Sequence, residues 1–153
     1  MRAILCSSNL LSGGAGDDTY LIDNTSDAVL ENANEGIDIV HATDHFRLSA
    51  NVETLVLLPG SGNLAGIGNA LANAIHSNSG DNSLDGGANA DVLTGSLGND
   101  TFMFNVGQAD GDTVVDFAGN VAAAGDSLRF VGYDAAERIA GIEMGALHTT
   151  HRS

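Results

Sequence analysis

The sequence predicts an all-β fold, a parallel solenoid of short stacked coils, on three observations. An apolar residue returns every nine positions, an acid or amide stands two places before it, and glycines with other turn formers fill most of each remainder. A fixed period of this kind decides the architecture before any local propensity is weighed.

The main block runs from Gly68 to Met103 and reads GNALANAIH, SNSGDNSLD, GGANADVLT, GSLGNDTFM. The eighth positions are Ile75, Leu84, Leu93 and Phe102, and the sixth are Asn73, Asn82, Asp91 and Asp100. Glycine and small polar residues let the first six residues of a unit turn sharply. The last three form a short strand whose central side chain points inward. Such a strand cannot bury its apolar face alone, so coils stack and share their stability. Two nonapeptides make one coil, which sets Asp91 over Asn73 and Asp100 over Asn82, each eighteen residues on.

A second block surrounds Gly13 to Leu21, GGAGDDTYL, with Asp18 sixth and Tyr20 eighth. One period before stand Asn9 and Leu11, and one period after, Asp27 and Val29, both pairs without their glycines. The register slips beyond Leu30, because the next similar pair, Asp38 and Val40, lies eleven residues on. Gly36 stands eighteen residues after Asp18, so the pattern gives Asp18 no second repeat carboxylate. The expected organisation is a short coil block over 1–40, an irregular connector over 41–67, a main coil block over 68–116 closed by an acidic element, and a β cap with a poorly ordered tail over 117–153.

Composition narrows the chemistry. Twenty acids face five arginines and no lysine, a formal charge of -15 that repels itself in any compact state. Nucleic acid is excluded as a partner, since no basic stripe exists to meet phosphates. No apolar run approaches the roughly 18 residues that read as a membrane span. Yet 43% of the chain is hydrophobic and the acids are interspersed, which is not the pattern of a disordered acidic tail. Cations are the natural neutraliser. Asp18, Asn73, Asn82, Asp91 and Asp100 offer side-chain oxygens from the turns. The turn glycines Gly13, Gly14, Gly16, Gly80, Gly86, Gly87, Gly95 and Gly98 offer backbone carbonyls. An all-oxygen donor set suits calcium; zinc asks for Cys or His, and magnesium for tighter octahedral geometry.

Sharper alternatives fail on spacing. His41 and His45 stand four apart beside Asp44 but have no third ligand in view, so they read as part of a solvated connector. Asp110-Gly111-Asp112 does not open an EF-hand, because Val115 and Val121 stand where Gly and Glu are required. No nucleophile elbow, phosphate loop or dinucleotide fingerprint is present, and Cys6 lies in an acidic chain that gives its thiol no activating charge. The chain is therefore expected not to be an enzyme.

These residues resemble the repeats-in-toxin (RTX) family of hemolysin-type calcium-binding repeats. The resemblance spans about Leu11 to Tyr133 and rests on GGAGDDTYLID, GNALANAI, GNDTFMF, GDTVVDF and GDSLRFVGY. It implies a right-handed parallel β-roll with calcium in the turns, within a protein exported by type I secretion from a Gram-negative bacterium. Asp18, Asp91 and Asp100 match the family's ligand aspartate, with amides in its place at Asn73 and Asn82. Asp110, Asp112 and Asp116 resemble the acidic element that closes the last site. About two to four calcium ions are expected, with affinities nearer 10⁻⁴–10⁻³ M than those of cytosolic sensors. The implied role is a non-catalytic module that folds on meeting extracellular calcium. A larger parent polypeptide or an extracellular polysaccharide gripped by an accessory domain are the further partners considered.

Overall fold

The computed structural model describes residues 8–109, 111–119 and 125–133, together with the backbone of Glu143–Met144. In chain order its strands are β1 (Leu10–Leu11), β2 (Thr19–Ile22), β3 (Ala28–Val29), β4 (Ile39–Ala42), β5 (Phe46–Arg47), β6 (Thr54–Leu57) and β7 (Ala65–Ile67). They continue as β8 (Ala74–His76), β9 (Ser83–Asp85), β10 (Val92–Thr94), β11 (Thr101–Asn105), β12 (Thr113–Val114), β13 (Ser127–Val131) and β14 (Glu143–Met144). Even-numbered strands form one parallel sheet in the order β2-β4-β6-β8-β10-β12-β14, and odd-numbered strands from β5 to β13 form a second. The chain thus alternates between two sheets, as a solenoid of about five turns.

The inward side chains stack in register. On the even sheet Val40 pairs with Tyr20, Leu55 with Val40, Ile75 with Leu55, Leu93 with Ile75 and Val114 with Leu93. On the odd sheet Leu84 pairs with Gly66 and Phe102 with Leu84. The four eighth-position residues of the main block, Ile75, Leu84, Leu93 and Phe102, are fully buried, as the period requires. Gly66 carries no side chain, and a Cβ there would stand 3.2 Å from Leu55 and 3.4 Å from Ile75, so neighbours fill its place.

The stretch 41–67 departs from expectation. It was expected to be an irregular connector; instead the end of β4 and all of β5, β6 and β7 lie within it and pair in the two sheets. Coil length varies while register does not: pairing partners lie fifteen residues apart between β4 and β6, and twenty between β6 and β8. Turns absorb the difference, helped by Asn34 and Asn51, each at φ 65°. Asn is among the few side chains that tolerate this region. The expected ligand Asp110 and the expected tail beyond Tyr133, except for the strand pairing of Glu143–Met144, lie outside the described residues.

Candidate metal centres in the turns

Each turn ends in a residue that faces the next coil. On the edge leading into the even strands, Asp91 Oδ1 accepts the backbone N–H of Asn73 at 2.7 Å, and Asp112 Oδ1 accepts that of Asp91 at 3.0 Å. On the opposite edge Asn82 Oδ1 accepts from Leu64, Asp100 Oδ1 from Asn82 at 2.8 Å, and Asp126 Oδ1 from Asp100 at 2.9 Å. The sixth-position residue therefore works first as a tie between coils, satisfying a buried N–H that the strand ladder does not reach. This much needs no metal.

At Asp91 and Asp100 one carboxylate oxygen is left over. Asp91 Oδ2 and Asp100 Oδ2 are buried and have no hydrogen-bond partner. Each lies against the first glycine of its own repeat: a Cβ on Gly86 would overlap Asp91 Oδ2, and one on Gly95 would stand 2.7 Å from Asp100 Oδ2. The period thus requires glycine at position one because the carboxylate fills the space a side chain would need. Burial pushes the Asp91 carboxyl up to about 7, with the charges of Asp112 and Asp85 adding to it and the Asn73 N–H offsetting part. Burial likewise lifts Asp100 to about 6, with Asp126 and Asp116 adding and Asn82 offsetting. A buried anionic oxygen without a partner is costly unless a proton or a cation meets it.

The asparagines solve the same problem internally. Asn73 Nδ2 donates to Val52 O at 3.0 Å and Glu53 O at 3.3 Å, while its Oδ1 accepts from Asn69. Asn82 Nδ2 donates to Gly80 O at 2.7 Å and Asn78 Oδ1 at 3.0 Å. Of these acceptors, the Gly80 carbonyl is one that the sequence offered to a metal, and the Asn82 amide occupies it. The Gly95 carbonyl likewise accepts the Ser77 hydroxyl. Asp116 closes a turn, its two oxygens taking the N–H groups of Gly95 and Ser96 at 2.8 and 2.7 Å.

The first turn differs from what the nonapeptide pattern gives Asp18. Its partner is Asp38, twenty residues on, whose Oδ1 accepts the Asp18 N–H at 2.8 Å. Glu31, eighteen residues after Gly13, joins them, and one oxygen from each of Asp18, Glu31 and Asp38 lies within 4.8 Å of the others. Asp18 Oδ2 and both Glu31 oxygens are buried and unpartnered. Burial pushes the Glu31 carboxyl upward and the Asp38 charge adds to this; the Gly13 N–H eases the charge without the geometry of a hydrogen bond. Glu31, Asp38 and Asp126 were not singled out as ligands or ties by sequence; only the Asp38–Val40 pair hinted at one of them. His45 turns out to have a local task, its Nδ1 accepting the Ala65 N–H at 2.9 Å.

The donors gathered in these turns are carboxylate, amide and carbonyl oxygens, a hard set that fits calcium. A family model of the RTX calcium-binding nonapeptide repeat matches the chain in four copies, over residues 7–21 and 67–102. No curated protein and no solved structure matches the chain. The chain therefore carries four copies of the RTX calcium-binding nonapeptide repeat, set on a parallel β-solenoid.

Proposed function

We propose that the chain is a non-catalytic calcium module whose β-roll is completed by metal, within a larger secreted bacterial protein. The observation that carries this reading is the pair of buried, unpartnered oxygens, Asp91 Oδ2 and Asp100 Oδ2, each held against a first-position glycine. Calcium would supply the positive charge those oxygens lack. Asp91, Asp100 and Asp18 are the carboxylate ligands of this reading, with turn carbonyls around them. Asn73 and Asn82 bear on the metal only as neighbours, since their amides are already engaged. A cation that binds the folded form and not the unfolded one stabilises it by mass action.

The test is far-UV circular dichroism during a calcium titration of the full chain, with magnesium as control. Growth of β signal with calcium alone, reversed by chelator and weakened in Asp91→Ala with Asp100→Ala, is expected. A β spectrum complete in chelator and indifferent to calcium would reduce the aspartates to turn formers.

A further inference from the structure

The carboxylates at the N-terminal end of the stack break the repeat rule. Asp18 belongs to a matched repeat, but Glu31 and Asp38 lie outside both matched segments. Asp38 immediately precedes β4 as Asp18 precedes β2, while Glu31 follows β3 by two residues. Glu31 is 5% exposed and Asp38 1%. The Tyr20 hydroxyl is also buried and unpartnered, and it lines the same space beside Gly13 as Asp18 Oδ2.

Three carboxylates at this separation, none with an ion-pair partner among the described residues, cannot all be relieved by hydrogen bonding within the chain. A proton shared between two oxygens would satisfy one pair and leave the rest. A divalent cation answers all of them at once, and an all-oxygen set selects calcium over zinc. The backbone around the cluster points the same way. β1 and β3 form a two-stranded sheet separate from the five-stranded sheet that begins at β5, so the ladder on that face is interrupted between β3 and β5. Glu31 sits at this interruption.

We propose that Asp18, Glu31 and Asp38, with the Tyr20 hydroxyl, form a separate calcium site that clamps the first coil to the second where the sheet is broken. The site rests on the calcium reading of the module but not on any pair of sixth-position residues eighteen apart.

The chain suits a selective test, because it has two tyrosines and no tryptophan. Tyr133 lies near the other end, edge-on to Phe130. Terbium, a luminescent stand-in for calcium, is titrated into the calcium-free full chain while tyrosine is excited. Sensitised emission should appear, be displaced by calcium, persist in Tyr133→Phe and vanish in Tyr20→Phe. Glu31→Gln and Asp38→Asn should weaken terbium binding at least as much as loss of an outer-shell partner does, about 10–100-fold. Asp38→Asn retains an Oδ1 acceptor for the Asp18 N–H, so it tests the charge with the coil tie kept. Asp91→Asn with Asp100→Asn should leave the emission in place. Emission that survives Tyr20→Phe, or that neither Glu31→Gln nor Asp38→Asn alters, would overturn the site. Calcium calorimetry on the unaltered chain separates the two claims: calcium uptake without Glu31-dependent emission sinks this site alone, whereas no uptake at all sinks the module reading as well.

Discussion

Replacing Asp100 by Asn and, separately, by Ala divides the two tasks of one side chain. Oδ1 accepts the buried N–H of Asn82, and Oδ2 has no partner. Alanine removes both oxygens and strands that N–H, at a cost of about 1–3 kcal/mol. Asparagine keeps the Oδ1 acceptor and brings an amide that the preceding coil shows how to place, since Asn82 Nδ2 donates to the carbonyl of Gly80. What asparagine removes is the burdened charge. A carboxyl lifted from 3.8 to about 6 disfavours its anion at pH 8 by a ceiling of about 3 kcal/mol, and solvent screening trims this to about 1–2 kcal/mol. In chelator at pH 8, Asp100→Asn should therefore be more stable than the parent by about 1–2 kcal/mol, and Asp100→Ala less stable by about 1–3 kcal/mol. In saturating calcium both should be less stable than the parent. Urea unfolding followed by circular dichroism, with and without calcium, reads all six values. If asparagine destabilises the chelated protein as alanine does, Oδ2 is not a strained anion; if asparagine matches the parent in calcium, Asp100 is not a ligand.

The same carboxyls fix the pH response. Asp91 and Asp100 are raised to about 7 and about 6, so the chelated fold holds their protons more tightly than the unfolded chain. Their contribution is fully present below about pH 4 and is lost as pH climbs through 6 and 7, which thermal melts in chelator will show. Calcium must displace the Asp91 proton, so its affinity should weaken on the order of 100-fold between pH 8 and pH 5, measurable by calorimetry. Gly86→Ala drives a methyl into Asp91 Oδ2 and should cost about 1–3 kcal/mol along with calcium affinity; Gly14→Ala, which meets nothing within 4 Å, should cost backbone strain and leave affinity intact. Asn82→Asp exchanges an internally satisfied amide for a free oxygen, and the calorimetric stoichiometry should rise by one ion.

The nonapeptide period shows through wherever coil length stays at eighteen. Ile75, Leu84, Leu93 and Phe102 could be placed in the core from spacing alone, and Asp91 and Asp100 in the turns. The stretch 41–67 was illegible for a physical reason. Strand register is kept by hydrogen bonding and burial, which constrain the strands, whereas the turns accept insertions of any length they can cap. Between Val40 and Leu55 the coil is three residues short of two nonapeptides, and between Leu55 and Ile75 two residues long, so a search at fixed period loses both. Glu31 and Asp38 were hidden by the same slippage: one follows β3 and the other precedes β4 across an enlarged turn, and only folding sets them beside Asp18. Asp126 was hidden in turn by the long excursion from β11 to β13, which pairs Phe102 with Leu128.

Aspartate and asparagine at the sixth position are two ways of closing one turn. Both place an acceptor on a neighbouring backbone N–H; they differ in what their second atom requires. The asparagine amide brings hydrogens and finds carbonyls, so the turns of Asn73 and Asn82 close with groups the chain already has. The aspartate brings a lone pair and finds no donor. On each edge an asparagine turn is followed, one coil on, by an aspartate turn: Asn73 by Asp91, Asn82 by Asp100. A coil closed by the chain's own amides therefore stands beneath the coil of Asp91 and Asp100 and offers their carboxylates the backbone N–H groups of Asn73 and Asn82. Because stacked coils stabilise chiefly their neighbours, the cation need only complete coils that already have a template. The module can then respond to calcium without relying on it for every turn.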